Sequence, residues 1–301
     1  MMSYVGKRGR RLLAVALLAA GPVCHAETST TTTKSAWSIR LQPARLINGS
    51  PLIFRVSAPA RLESLSAKWL EHDIYFSYDS RSRAWYGIAG VSLETRPGTY
   101  PLVLDGTTKD GKNISFRRQL LIHAAKYRSI AVTVAHQYTA PSAEQLQEIS
   151  EDKTLKEEAF QHVNPEREWA GSFQAPVKAP VSDQFGTRRT FNGKVQSTHQ
   201  GLDYAVPAGT PVLALNRGTV LLARPLFFEG NCVVLDHGQG LLTLYLHLSE
   251  FKVKEGDQVN RGEEIALSGG TGRASGPHLH VAVRWEGVYL NPATLLRLKL
   301  P

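Results

Sequence analysis

Ser275-Gly276-Pro277-His278-Leu279-His280-Val281-Ala282-Val283 passes from turn-forming residues into a β-prone run. In an extended strand, residues i and i+2 face the same way, so His278 and His280 present two imidazoles to one point in space. That is a ready metal or acid–base pair. Two stretches upstream add to it, His199-Gln200-Gly201-Leu202-Asp203 and Tyr245-Leu246-His247. Together they offer a carboxylate and four imidazoles, enough for three metal ligands, an open coordination position and a separate proton-transfer apparatus.

Around these motifs the chain reads as strands from Gly171 to the C-terminus: Pro211 to Leu215, Gly218 to Ala223, Cys232 to Leu235, Leu241 to Tyr245 and Leu279 to Trp285. Gly238-Gln239-Gly240 closes an expected hairpin. If fully extended, His199 and Asp203 would have Cα atoms ~13 Å apart, too far to share an ion with bonds of ~2 Å. The chain must bend between them, and Gly201, tolerant of unusual backbone angles, is placed to allow it.

The combination His199-x3-Asp203, Tyr245-x-His247 and His278-x-His280 resembles the lysostaphin-type zinc endopeptidases, metallopeptidase family twenty-three, which cleave peptide bonds in peptidoglycan. The stretches Gly201 to Val212 and Thr271 to His280 resemble that family's signatures over most of their length, and the resemblance runs from about Gly171 to Leu298. It implies an antiparallel β-sheet peptidase domain of lysostaphin-like type. It also implies one zinc ion per chain held by His199, Asp203 and His280, with His247 and His278 as catalytic residues that bind, orient or deprotonate the attacking water. Spacing alone does not say which histidine of the 278/280 pair is the ligand. The expected substrate is the peptide stems of peptidoglycan, in cell-wall remodelling, with an envelope regulator as a further candidate partner. Rival readings are a non-catalytic or autoinhibited regulator of cell-wall amidases, and a wall-binding module in which the N-terminal segment carries the function.

Arg188, Arg189 and Tyr204 are candidates for oxyanion or substrate contacts, or for ordinary surface and packing roles. Tyr245 reads as packing beside the cleft and His237 as structural, at a hairpin turn. His72, His123, His136 and His162 fall outside the motifs and read as ordinary polar residues. Gly269-Gly270-x-Gly272-x3-Gly276 lacks both the spacing and the following helix of a nucleotide cradle, so it reads as a loop. No HExxH occurs, which leaves a thermolysin-like arrangement unsupported.

The chain is expected to be mainly β. From Trp37 to about Lys126, short β-rich runs such as Leu52 to Val56, Ile74 to Phe76 and Tyr100 to Leu104 are separated by Asn48-Gly49, Pro97-Gly98 and Asp110-Gly111. This pattern predicts a small β-sandwich of roughly seven strands. From Tyr127 to Ala170 the composition turns charged, and Ser142 with Gln145 reads as a capping box opening a helix over Glu144 to Phe160, a short helical connector. Residues 171–301 complete the chain as the domain that carries the motifs.

Lys7, Arg8, Arg10 and Arg11, the apolar run Leu12 to Ala20 and Cys24-His25-Ala26 read as a cleaved export signal over residues 1–26. A membrane anchor needs ~20 apolar residues, so no transmembrane segment is expected after cleavage. Residues 27–36, nearly all Thr and Ser at first, read as a tether. Those four basic residues account for four of the formal +9 net charge, and the remaining +5 suits anionic envelope polymers. No nucleic-acid motif accompanies it. The expected location is the periplasm or cell envelope. Cys232 is then the single thiol, in an apolar run, so no internal disulfide can form.

Overall fold

The computed structural model describes residues 36–132, 141–161, 163–191 and 195–301. The leader, all of the tether before residue 36, His136 and His162 lie outside the described residues.

The N-terminal part is a sandwich of a four-stranded and a five-stranded sheet. The first orders Ser38–Gln42, Pro51–Ser57, Ala84–Gly90 and Ser77–Asp79; the second orders Leu46–Ile47, Asn113–His123, Gly98–Thr108, Leu62–Trp69 and His72–Tyr75. The seven-strand expectation undercounts because Leu46–Ile47 is two residues long and because a single β-rich stretch, 72–79, divides into two strands that join different sheets. Apolar side chains of both sheets, including Phe54, Trp69, Ile88, Leu102 and Leu104, share one core. Trp69 and Phe54 meet edge to face at 6.1 Å between ring centroids. Alternation along Leu62–Trp69 gives the reason: Leu65, Ala67 and Trp69 are buried while Ser64, Ser66 and Lys68 are exposed.

The helix spans Ala143–Gln161. Gln145 N–H donates to Ser142 Oγ at 3.3 Å and the Gln145 side-chain oxygen accepts from Ser142 N–H at 2.9 Å, a reciprocal cap. None of its residues is fully buried, as its charged composition dictates, but Leu155 and Phe160 pack on the C-terminal sheet. The segment read as a connector holds more than a helix. Ser129–Val132 pairs in parallel with Arg188–Phe191, and Trp169 is buried in the main core. Among the described residues no helix is long and apolar enough to cross a membrane.

The C-terminal part is built on a ten-stranded antiparallel sheet. At its centre Leu279–Trp285 lies between Gly201–Tyr204 and Leu241–Phe251, and Gly230–Asp236 and Gly218–Leu226 follow in order. The hairpin at Gly238-Gln239-Gly240 forms with all three residues at positive φ. One face of the sheet buries Leu241, Tyr245, Leu279, Val281 and Val283 in the same core as the sandwich. The other buries Leu222, Cys232, Val234, Leu242, Leu244 and Ala282 in a smaller cluster that Leu155 and Phe160 cover. The described residues, 36 onward, form one compact unit. The two β parts meet through Asn291 N–H on Gly49 O at 2.8 Å, Gln239 on Tyr86 O at 3.2 Å, and the His72 ring 5.2 Å from that of Trp285.

Candidate metal centre and groove

Register brings the site together. Asp203 stands opposite His280, and His280 opposite Leu246, so three neighbouring strands carry the motifs to one place. His199 sits between the Val195–Thr198 and Gly201–Tyr204 strands, which belong to different sheets, and there the chain bends. Gly201 serves this bend differently from the expectation. It is not in the left-handed region; instead, a Cβ there would lie 2.4 Å from His280 Nε2 and 2.6 Å from the Val281 carbonyl oxygen. The glycine is required for space, not for an unusual φ.

Three ligand atoms converge. His280 Nδ1 is 2.7 Å and His199 Nε2 3.0 Å from Asp203 Oδ1, and the two ring nitrogens are 3.0 Å apart. Among the described residues this is the one cluster of side chains able to hold a metal ion. All three are buried or nearly so. Burial alone would raise the Asp203 carboxyl, but hydrogen bonds and charge from His199 and His280 outweigh it and hold the group well below the usual carboxylate range. His280 is itself pushed down by burial, so its neutral, ligating form is favoured. Two imidazoles and an ionised carboxylate form a donor set that suits a borderline cation such as zinc.

Neighbouring carbonyls set the ring orientations. His199 Nδ1 lies 2.9 Å from Gln184 O, and because a carbonyl only accepts, that nitrogen carries the proton and Nε2 keeps its lone pair. Thr271 O does the same for His247 Nδ1 at 2.8 Å, and Gly276 O for His278 Nδ1 at 2.8 Å. His247 and His278 stack at 4.8 Å between centroids, and His278 Nε2 is 3.9 Å from Asp203 Oδ1. Burial, helped by the charges of His280 and His278, pushes His247 down to about 3.

His247 owes its position to irregular backbone. Its φ is +63°, and the ladder beside it slips register between Asn231 and Val233 and again between Leu248 and Glu250. Tyr245 and Leu248 consequently share the core face although three positions apart, while His247 turns to the opposite side. A non-glycine residue at such a φ costs of order 1–3 kcal/mol and persists where the surroundings fix it. Here Glu229 O accepts from His247 N–H at 2.9 Å and Thr271 O from its ring.

The cluster lies in a groove of about 690 Å³ whose lining includes Leu244, Leu246, Ala282 and Tyr289 beside the histidines, with Arg189, Arg273 and Glu94 at its walls. Lys156 of the helix pairs with the groove residue Glu229 at 2.5 Å. Tyr204 points away from it, buried in the core with its hydroxyl pushed up to about 12 by burial, so it packs and does not meet substrate. Tyr245 is buried too, its hydroxyl accepting from Leu215 N–H at 2.8 Å. Arg188 is exposed on a strand, and Arg189 instead contacts Asp203. His237 is buried between Arg217 O and the Thr243 hydroxyl, both at 2.7 Å. Burial raises the Cys232 thiol out of reach of ionisation. Sequence reasoning missed Asp183 and Arg128, which pair at 2.6 Å next to the site; neither stands at a motif spacing that could reveal it.

Residues 197–292 match the model of peptidase family M23. Peptidoglycan DD-endopeptidase ShyA of Vibrio cholerae is 41% identical over 122 residues, 40% of this chain and 28% of that protein. DD-carboxypeptidase/endopeptidase Mpg of Neisseria meningitidis is 41% identical over 119 residues, 40% of this chain and 27% of that one. The aligned part of this chain thus spans less than a third of the length of these relatives. A crystal structure of a putative peptidase M23 from Pseudomonas aeruginosa superposes with a TM-score of 0.65 at 28% identity, covering 84% of this chain and 95% of that one, sandwich included. Motifs, sheet and convergent side chains therefore agree: the chain carries a peptidase family M23 domain over residues 197–292.

Proposed function

We propose that the protein is an exported zinc metalloendopeptidase that hydrolyses peptide cross-links of bacterial peptidoglycan. The observation that carries this reading is the convergence of His199, Asp203 and His280 on one point, with His247 and His278 turned toward it from the groove. The names of the relatives, a peptidoglycan DD-endopeptidase and a DD-carboxypeptidase/endopeptidase, support peptidoglycan peptides as the substrate class. Export rests on the reading of residues 1–26 as a signal.

In this reading His199 Nε2, Asp203 Oδ1 and His280 Nδ1 hold the ion. Zinc, when bound, supplies Lewis acidity toward the scissile carbonyl and toward water. The remaining work falls to the chain itself. Thr271 O and Gly276 O fix the protons of His247 and His278 on Nδ1, so each ring offers Nε2 as a base. One such base takes a proton from the attacking water, and that proton is returned to the departing amine nitrogen as the C–N bond breaks. Leu246 and Tyr289, partly exposed in the groove, give it an apolar side along which an extended peptide stem can lie.

The test is digestion of purified sacculi by the mature protein, with and without chelation of zinc, and mass spectrometry of the muropeptides. Conversion of cross-linked dimers to monomers, abolished by chelator, is expected. Unchanged cross-linking despite sacculus binding would favour the regulator or wall-binding readings.

A further inference from the structure

Asp203 divides its two oxygens between different neighbours. Oδ1 meets His280 and His199, while Oδ2 is met by Arg189 Nη2 at 2.5 Å. Arg189 is itself anchored, its Nε and Nη2 donating to Asp183 Oδ2 at 2.9 and 2.6 Å. The other oxygen of Asp183 accepts from Arg128 at 2.6 Å, the Thr187 hydroxyl at 2.8 Å and Gln184 N–H at 2.8 Å. Charges alternate along this chain: Arg128, Asp183, Arg189, Asp203. Asp183 is 7% exposed and the Arg189 side chain 18%, so the inner part of the network is largely screened from water, while the Arg128 side chain at its outer end is half exposed.

A guanidinium beside a cation site has two opposite consequences. By charge alone it repels the metal, and its removal would tighten binding. By geometry it holds one carboxylate oxygen and leaves the other aimed at the imidazoles, and its removal would let the carboxylate turn and weaken binding. Asp183 offsets the charge of Arg189 and leaves the geometric effect dominant.

We propose that Arg189 is a positioning residue for the metal centre, holding Asp203 Oδ2 so that only Oδ1 is offered to the ion. Asp183 anchors it, and Arg128, from the segment entering the C-terminal part, completes the network. The proposal rests on the assignment of His199, Asp203 and His280 as metal ligands.

The test measures zinc affinity of the mature protein by competition with a chromogenic chelator. Arg189→Gln is expected to raise the zinc dissociation constant roughly 10- to 100-fold, the range for removal of partners that orient ligands. Arg189→Lys keeps the charge without the two-carboxylate fork and is expected to fall between Gln and wild type. Unchanged or tighter zinc binding in Arg189→Gln, or a loss of thermal stability at wild-type zinc affinity, overturns the proposal. If Arg189→Gln does not fold, Arg189→Lys decides alone, and wild-type affinity there overturns it. His280→Ala separates the two assignments: wild-type zinc binding in that variant defeats the ligand assignment itself, whereas zinc lost there but retained in Arg189→Gln defeats positioning only.

Discussion

Gly201 and His280 occupy facing strands so closely that a Cβ on the first would stand 2.4 Å from Nε2 of the second. The ring of a metal-ligand candidate therefore packs directly against glycine backbone. Gly201→Ala must displace that ring or the Val281 carbonyl. It is expected to destabilise the protein by about 1–3 kcal/mol and to weaken zinc binding. Chemical denaturation and metal competition check the two effects; a variant with wild-type zinc affinity would show that the ring can move without harm.

Ligands and proton-handling groups should separate on substitution. His199→Ala, Asp203→Ala and His280→Ala each leave two protein ligands and are expected to lose most bound zinc with activity. His247→Ala and His278→Ala are expected to keep the metal while turnover falls roughly 100-fold or more. Metal content of the folded variants beside their rates on a cross-linked peptide decides the matter, and equal zinc loss in both groups would refute the division.

Trp169 precedes the C-terminal sheet in sequence yet is 1% exposed, with the Arg167 guanidinium 4.8 Å from its ring centre. Trp169→Ala is expected to cost about 3–5 kcal/mol in urea unfolding, because the cavity cannot close. Trp169→Phe, which keeps a ring and removes an indole N–H that has no hydrogen-bond partner among the described residues, should cost less. A chain starting at Gly171 lacks this residue and should melt below one starting at Trp37.

His237 gives stability a pH dependence away from the metal. Burial lowers its pKa from 6.5 to about 4, against a smaller raising effect of the Arg217 carbonyl. Between those values the unfolded chain binds the proton and the folded one does not. The contribution is full above the unfolded value, declines as pH falls, and levels off below the folded one. The whole span amounts to on the order of 3 kcal/mol. Urea unfolding at about pH 7.5 and about pH 4.5 measures it, and His237→Gln should flatten the slope. An equal slope in that variant would place the dependence on other groups.

β-prone residue types and turn residues made the strands of the C-terminal sheet legible, Leu279–Trp285 in full and Gly230–Asp236 as the four residues Cys232 to Leu235. They also grouped His199, Asp203, His247, His278 and His280 as candidates, since chemistry-bearing residues at fixed spacing are a local signal. Spacing could not say that His280 lies opposite Asp203 or which oxygen of Asp203 faces the rings; strand register and side-chain packing decide both. Nor could it reveal the Arg128–Asp183–Arg189 network, in which Arg128 and Asp183 are 55 positions apart and join only after two strands pair in parallel. The space beneath His280 that makes Gly201 necessary has the same origin, for a clash between strands does not exist until the strands meet. Residue type and periodicity act along the chain, whereas orientation, burial and steric fit arise between elements distant in sequence, so the first were readable in advance and the second only in three dimensions.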